Sequence, residues 1–359
     1  MSTFHADWRR QKSRAFALER NSTARRTVEL SLWGRRLHVY ANANLSIYSG
    51  RRCNGACPFC VEELRPAARG RTLAEQRQVE PDDRRYFAAL EEVLGEVRPL
   101  DPSVSITGGE PSLDPRLPRI LRTLHAHGAR KRTITTNGSG LLDVREGRAI
   151  VDWLAATSIR HLNLSRAHPD GARNAALMQL PDGLDARDLR TAVTRARRAG
   201  MRVRLSCILI DEGVHDLDGM HAYLDFARTL GIDNVVFRQL MGFDPCAVHA
   251  TPQVMYARQH HVALEPLLDQ ISADPSFSFV RQVLGYYYYV EVWQHRGVDV
   301  VFEEADLAQL EARKRPGLVH ELVFHPDGTL ASAWQPWDSV LGPKAFPAIQ
   351  RSRATGVSL

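Results

Sequence analysis

Three cysteines stand within eight residues of this 359-residue chain, in the run Cys53-Asn-Gly-Ala-Cys57-Pro-Phe-Cys60. A C-x3-C-x2-C spacing in one tight loop presents three thiolates to one inorganic body. Iron–sulfur clusters are held by Cys thiolates, usually four. Three leave one iron free to take a further ligand, much as a catalytic zinc keeps an open position. Gly55 and Pro58 suit a loop that wraps such a body. A structural zinc with a distant fourth ligand carries the same signature at this point, and would make the chain a non-enzymatic metal-binding protein. The chain has five Cys in all. A disulfide framework spreads its cysteines and favours an even count, whereas clustered thiols in a reducing cytosol point to metal or redox chemistry.

Other residues add chemistry farther along. Thr107-Gly108-Gly109-Glu110-Pro111 ends an apolar strand-like run. Backbone at Gly approaches a ligand closely, and a carboxylate follows at once. The alternative is a tight strand–helix turn with Pro111 opening the next helix. Arg204 and Ser206 alternate on a later strand and share one face. They suit contacts to an anion or a ribose, unless Arg204 snorkels to solvent. Cys207 points to the opposite face and reads as core.

The elements that must position these groups repeat regularly. Strand-like runs at 45–48, 104–108, 132–136, 159–165, 201–210 and 234–240 alternate with amphipathic helical runs, and Gly marks many of the joints. Six such units require a parallel sheet. The expected fold is α/β, a partial (β/α)6 parallel barrel with a C-terminal α+β extension. Chemistry belongs at the C-terminal ends of its strands. The expected divisions are 1–44, a basic and partly helical N-terminal extension; 45–241, the barrel; and 242–359, a C-terminal region covering the barrel mouth. Within that last region 318–334 reads as a hairpin with a type I′ turn at Asp327-Gly328.

Composition narrows the classes. The chain is 44% hydrophobic and 25% charged, an ordinary globular balance. Its net charge of +6 comes from Arg, since only Lys12, Lys131, Lys314 and Lys344 are Lys. Arg-rich stretches are interleaved with acids, as in 84–98, which reads as a solvated helix face rather than a nucleic-acid patch. No run reaches the roughly 18 apolar residues of a membrane helix. The basic N-terminus lacks a signal-peptide core, and Asp7 and Glu19 argue against a mitochondrial presequence. The expectation is a cytoplasmic protein with no nucleic-acid or membrane partner.

The cysteine loop, with Phe59 just before its last Cys, resembles the cluster loop of the radical S-adenosylmethionine (SAM) superfamily. The Gly108–Pro111 run resembles that family's GGEP motif. The resemblance covers 45–241, and the core of that stretch is similar to the GTP 3′,8-cyclase branch. The cysteines of that branch's second cluster are missing, since no Cys follows Cys246. The resemblance implies one [4Fe–4S] cluster on Cys53, Cys57 and Cys60, with SAM chelated at the open iron. It implies SAM contacts from Phe59, Gly108, Gly109, Glu110 and Pro111, with Glu110 anchoring the ammonium. It further implies contacts from Asn137 at the third strand end and from Ser165 at the fourth, the latter to the SAM carboxylate. The cofactor supplies the hard chemistry and the protein orients and shields it.

A radical enzyme must exclude water and stray hydrogen donors. Candidates to line a substrate pocket are Tyr286 to Tyr289, Trp293, His320, His325, Trp334 and Trp337. Cys246, after the sixth strand, could return a hydrogen atom to a substrate radical, or could be a small loop hydrophobe. The expected activity is reductive cleavage of SAM and hydrogen abstraction from a small polar metabolite, such as a sugar, nucleoside or related specialised-pathway intermediate. The alternative is a maturase of a ribosomally made peptide. Either needs an electron donor such as flavodoxin or ferredoxin.

Overall fold

Two strands precede the expected barrel, β1 (Thr27–Leu32) and β2 (Arg35–Tyr40). They appear in a computed structural model that describes residues 27–50, 53–64, 77–181, 184–243, 251–312 and 314–342. Trp33 and Gly34 between them have φ of 46° and 75°, as a type I′ turn requires. Trp33 holds this conformation through tertiary contacts: its amide donates to Glu96 at 2.9 Å and its indole to Glu92 at 2.6 Å. This part of the N-terminal extension is therefore a hairpin rather than helical.

The chain then alternates as expected: β3 (Asn44–Ser49), α1 (Asp83–Glu96), β4 (Ser103–Gly108), α2 (Leu117–Ala126) and β5 (Arg132–Thr136). A small hairpin of β6 (Val144–Arg145) and β7 (Arg148–Ala149) leads into α3 (Ile150–Ala156) and β8 (His161–Ser165). Next come α4 (Gly171–Met178), α5 (Ala186–Arg198), β9 (Arg202–Leu209), α6 (Leu217–Thr229) and β10 (Asn234–Gln239). The β6–β7 hairpin and α4 are additions to the pattern read from the sequence. Local signals fix the helix ends. Asp82, Asp185 and Asp216 cap α1, α5 and α6 by accepting from backbone amides of the first turn. Arg195, Arg197 and Arg198 sit in the last turn of α5, where the helix dipole favours cations.

Strands β3, β4, β5, β8, β9 and β10 lie side by side in chain order, each parallel to the next. This is the partial (β/α)6 barrel. Strand β9 shows how it packs. Val203, Leu205, Cys207 and Leu209 are buried, while Arg204, Ser206 and Ile208 alternate with them. Each fully buried Leu is worth about 1.5–3 kcal/mol over an exposed one. Cys207 belongs to the core, as expected.

The C-terminal region does more than append. It comprises α7 (Pro252–Gln259), α8 (Leu264–Ala273), β11 (Phe277–Leu284), β12 (Tyr288–His295), β13 (Val298–Ala305), α9 (Leu307–Ala312), β14 (Leu318–Val319), β15 (Leu322–Phe324) and β16 (Leu330–Ala331). Strand β13 pairs parallel with β10, and β15 pairs parallel with β3. The extension thus prolongs the sheet at both flanks, giving eleven strands in the order β11-β12-β13-β10-β9-β8-β5-β4-β3-β15-β16. Among the described residues no pairing closes this sheet into a complete barrel. Strand β14 joins β1 and β2 in a separate sheet. The β15–β16 hairpin exists, but its turn differs from the expected type I′. The His325 amide donates to Thr329 O and the Gly328 amide to His325 O. Gly328 alone has positive φ, since Asp327 does not. The result is a three-residue loop with a glycine bulge, consistent with Pro326, whose ring fixes negative φ.

Candidate active site

The cysteine loop leaves the C-terminal end of β3 and rests on the end of α4. The Ala56 amide donates to Gln179 O at 3.4 Å, and a Cβ on Gly55 would meet Met178 O at 3.1 Å. Cys57 Sγ lies 3.3 Å from Met178 O. On its other side Asn54 donates to Ser139 Oγ at 3.0 Å and accepts from Asn137 Nδ2 at 2.8 Å. The loop closes with a turn from Cys57 O to the Cys60 amide, followed by a short 3-10 helix, Val61–Leu64.

Cys53, Cys57 and Cys60 line one cavity of about 360 Å³ at the C-terminal ends of the barrel strands. Burial pushes the Cys53 thiol up. Burial, then the neighbouring Cys60 and Cys53, push Cys57 up to about 12. A bound metal would supply the positive charge that favours ionisation of such thiols. Among the described residues no three Cys, His, Asp or Glu side chains gather closely enough to hold a single metal ion. A tetrahedral zinc with 2.3 Å bonds would draw its thiolates to about 3.8 Å of one another.

The opposite wall comes from the ends of β4, β5, β8 and β9. Gly108 and Gly109 line it, and Gly108 has φ +130°. A Cβ there would stand 2.9 Å from the Ser49 amide nitrogen and 3.0 Å from the Tyr48 ring, so only glycine lets the chain pass. Glu110 is 2% exposed. Its Oε1 accepts from the Ser112 amide at 2.9 Å, Ser112 Oγ at 2.6 Å and Thr136 Oγ1 at 2.5 Å. Its Oε2 accepts from the Asn137 amide at 2.7 Å. Three of these four bonds go to groups the sequence reading did not consider. Glu110 is thus first a clamp between the ends of β4 and β5, and of its two oxygens only Oε2, which accepts one bond, has an acceptor position left. Ser165, the last residue of β8, and Ser206, three residues short of the end of β9, are register partners, and both line the cavity. So do Phe59 and Asn137.

Two expected contacts fall elsewhere. Pro111 is buried and opens a 3-10 turn, Pro111–Leu113. Arg204 pairs in register with Asn163, one layer beneath the two serines. Two residues of strand set it about 6.6 Å lower, and its Nε donates to Asn234 Oδ1. This corrects the expectation that Arg204 joins Ser165 and Ser206 at the cavity. Cys246 lies outside the described residues. The aromatic candidates of the C-terminal region do not line the cavity. Tyr289 and Trp293 are buried and both donate to Glu291. Tyr286 stacks on His320 at 4.4 Å, and Trp337 is exposed. Instead that region contributes Glu303 and Ala305 of β13. Glu303 Oε1 stands 3.3 Å from Arg238 Nε across the β10–β13 pairing, and both residues line the cavity. A second cavity, about 420 Å³, lies between β2 and residues 310–341 and holds none of the thiols.

Three thiols facing glycine backbone and strand-borne hydroxyls, in a partial (β/α) barrel, suit a cluster cofactor. Residues 47–224 match the family described as the Radical SAM superfamily, and this stretch is a radical SAM domain. The cofactors of that superfamily are a [4Fe–4S] cluster and SAM. The GTP 3′,8-cyclase of Marinobacter nauticus is 27% identical over 196 residues, which is 51% of this chain and 49% of that protein. The chain therefore spans about half the length of this curated relative. Streptococcus suis SuiB bound to its precursor peptide SuiA is 16% identical, with TM-score 0.49, over 81% of this chain and 59% of that one. Coproporphyrinogen III oxidase from Escherichia coli is 13% identical, with TM-score 0.38, over 70% of this chain and 67% of that one. The thiol set and the glycine cradle fit the family's cofactor pair. No helix among the described residues is long and apolar enough to cross a membrane.

Proposed function

We propose that this chain uses its cluster and SAM to abstract hydrogen from a small polar metabolite, of the sugar or nucleoside kind. The observation that carries the substrate class is the Arg238–Glu303 pair, which puts a cation and an anion on the wall of the cavity that holds the thiols. Such a pair, with Gln239 beside it, suits hydroxyl and amide groups that both donate and accept.

A bound cluster would supply one-electron reduction of SAM, yielding methionine and a 5′-deoxyadenosyl radical, with the electron coming from a donor such as flavodoxin or ferredoxin. In this reading Cys53, Cys57 and Cys60 hold the cluster. Gly108 and Gly109 admit the methionine end of SAM against bare backbone. Ser165 and Ser206 donate to its carboxylate or ribose. Phe59 and Asn137 complete the wall, and Arg238 and Glu303 orient the substrate. Cys53 is exposed and Cys57 and Cys60 are half-buried, so bound SAM and substrate would complete the exclusion of water from the reacting centre.

The test is release of 5′-deoxyadenosine by the reconstituted, reduced chain with a panel of sugars, nucleosides and their phosphates. At least one should raise the release above the substrate-free rate. If every panel member leaves it unchanged while a ribosomal precursor peptide raises it, the peptide-maturase reading replaces this one.

A further inference from the structure

Among the described residues the most deeply buried cation outside the cavity is Arg77, 1% exposed. A buried charge is costly unless it is paired and hydrogen-bonded, and the partners of Arg77 are specific. Its Nε donates to Glu62 Oε1 at 2.8 Å, and its Nη2 donates to the same oxygen. Its Nη1 lies 2.7 Å from His325 Nδ1. His325 Nε2 faces Ala333 O at 3.1 Å, so the ring proton sits on Nε2 and Nδ1 accepts from Arg77. The imidazole is neutral, and its role is to hold the guanidinium. The face of that guanidinium covers the Tyr48 ring at 3.7 Å, a cation–π contact. Tyr48 is the side chain against which Gly108 presses.

These residues come from three places. Glu62 lies in the 3-10 turn directly after the ligand Cys60. Tyr48 belongs to β3, and His325 to the hairpin that the C-terminal region adds beside β3. We infer that Arg77 is a positioning residue for the cluster loop, and that the Glu62–Arg77 pair, held by His325, balances the charge beside the cluster. The pair is sheltered from solvent and salt, so its field is not screened as a surface pair's would be. Cluster potentials respond to nearby net charge. Glu62 alone would make reduction harder, and Arg77 alone would make it easier.

The inference rests on the cluster reading above. Its test is a redox titration of the cluster-loaded full chain, followed by paramagnetic resonance. Glu62→Gln should raise the midpoint potential and Arg77→Gln should lower it. The double variant, neutral at both positions, should return to the wild-type value, and Arg77→Lys should stay near it. Should Arg77→Gln fail to load, Glu62→Gln and the double variant decide the matter. Single variants that shift alike, or not at all, overturn the inference. So does a double variant that stays with Glu62→Gln, or a loss of the cluster from Glu62→Gln, which keeps the shape and removes only the charge. A wild-type chain that holds no iron overturns the cluster reading instead.

Discussion

Cys57 Sγ lies 3.3 Å from the carbonyl oxygen of Met178, at the last residue of α4. Burial, then the neighbouring Cys60 and Cys53, raise Cys57 to about 12, and the thiol faces a carbonyl to which only its protonated form can donate. Iron must therefore displace a proton, and loading should rise with pH. Each thiol still protonated costs about tenfold in apparent metal affinity per pH unit lost. Anaerobic reconstitution at pH 6.5 should give clearly less iron and sulfide per chain than at pH 8.5, and equal loading would contradict the thiol assignment. Cys57→Ala should hold no cluster at either pH.

The register pair Ser165 and Ser206 leads to a SAM-binding prediction. A hydrogen bond to a charged group is worth about 1.5–3 kcal/mol, or tenfold and more in affinity. Ser165→Ala and Ser206→Val should weaken SAM binding by that factor without lowering iron content. Arg204→Gln, one layer beneath, should leave SAM binding unchanged. SAM titrations of cluster-loaded variants, read by optical or paramagnetic spectra, check both halves.

Much of this arrangement is legible in the sequence because its signals are local. Three Cys within one loop need no knowledge of the fold, and the six barrel strands announce themselves by alternation and by glycine at many joints. Glu303 is different. It meets Arg238 only because β13 pairs with β10, and nothing near Glu303 in the chain marks it. The β1–β2 turn is hidden for a related reason: Trp33 is a poor residue for positive φ, and Glu92 and Glu96 of α1 hold it there. Arg204 and Ser206 were read to one face, but face alone leaves depth along the strand open, and depth decides which of them reaches the cavity.

Two glycines should respond oppositely to the same change. Gly108→Ala puts a methyl 2.9 Å from a backbone nitrogen at φ +130°, at a cost of about 1–3 kcal/mol. Gly95 lies in the last turn of α1 with open space at its Cβ position. Gly95→Ala should stabilise the chain by about 0.5–1 kcal/mol. Denaturant midpoints of the two variants should move in opposite directions from the parent.

Acid should weaken the fold through His161. Burial, then Lys131, Arg204, Arg202 and Arg160, lower it to about 4. The folded state therefore keeps this imidazole neutral while the unfolded chain protonates it near pH 6.5. Its contribution is whole above pH 6.5 and is lost as pH falls towards 4. Urea midpoints at pH 7.5 and 5.0 should differ less in His161→Gln than in the parent.

The edge of β3 waits for β15. Ile47 pairs with Phe324, so about 280 residues must leave the ribosome between the two partners. At ~5–20 residues per second that interval is roughly 15–55 s. Throughout it the strand that leads into the cysteine loop carries a bare hydrogen-bonding edge, the kind that recruits other chains.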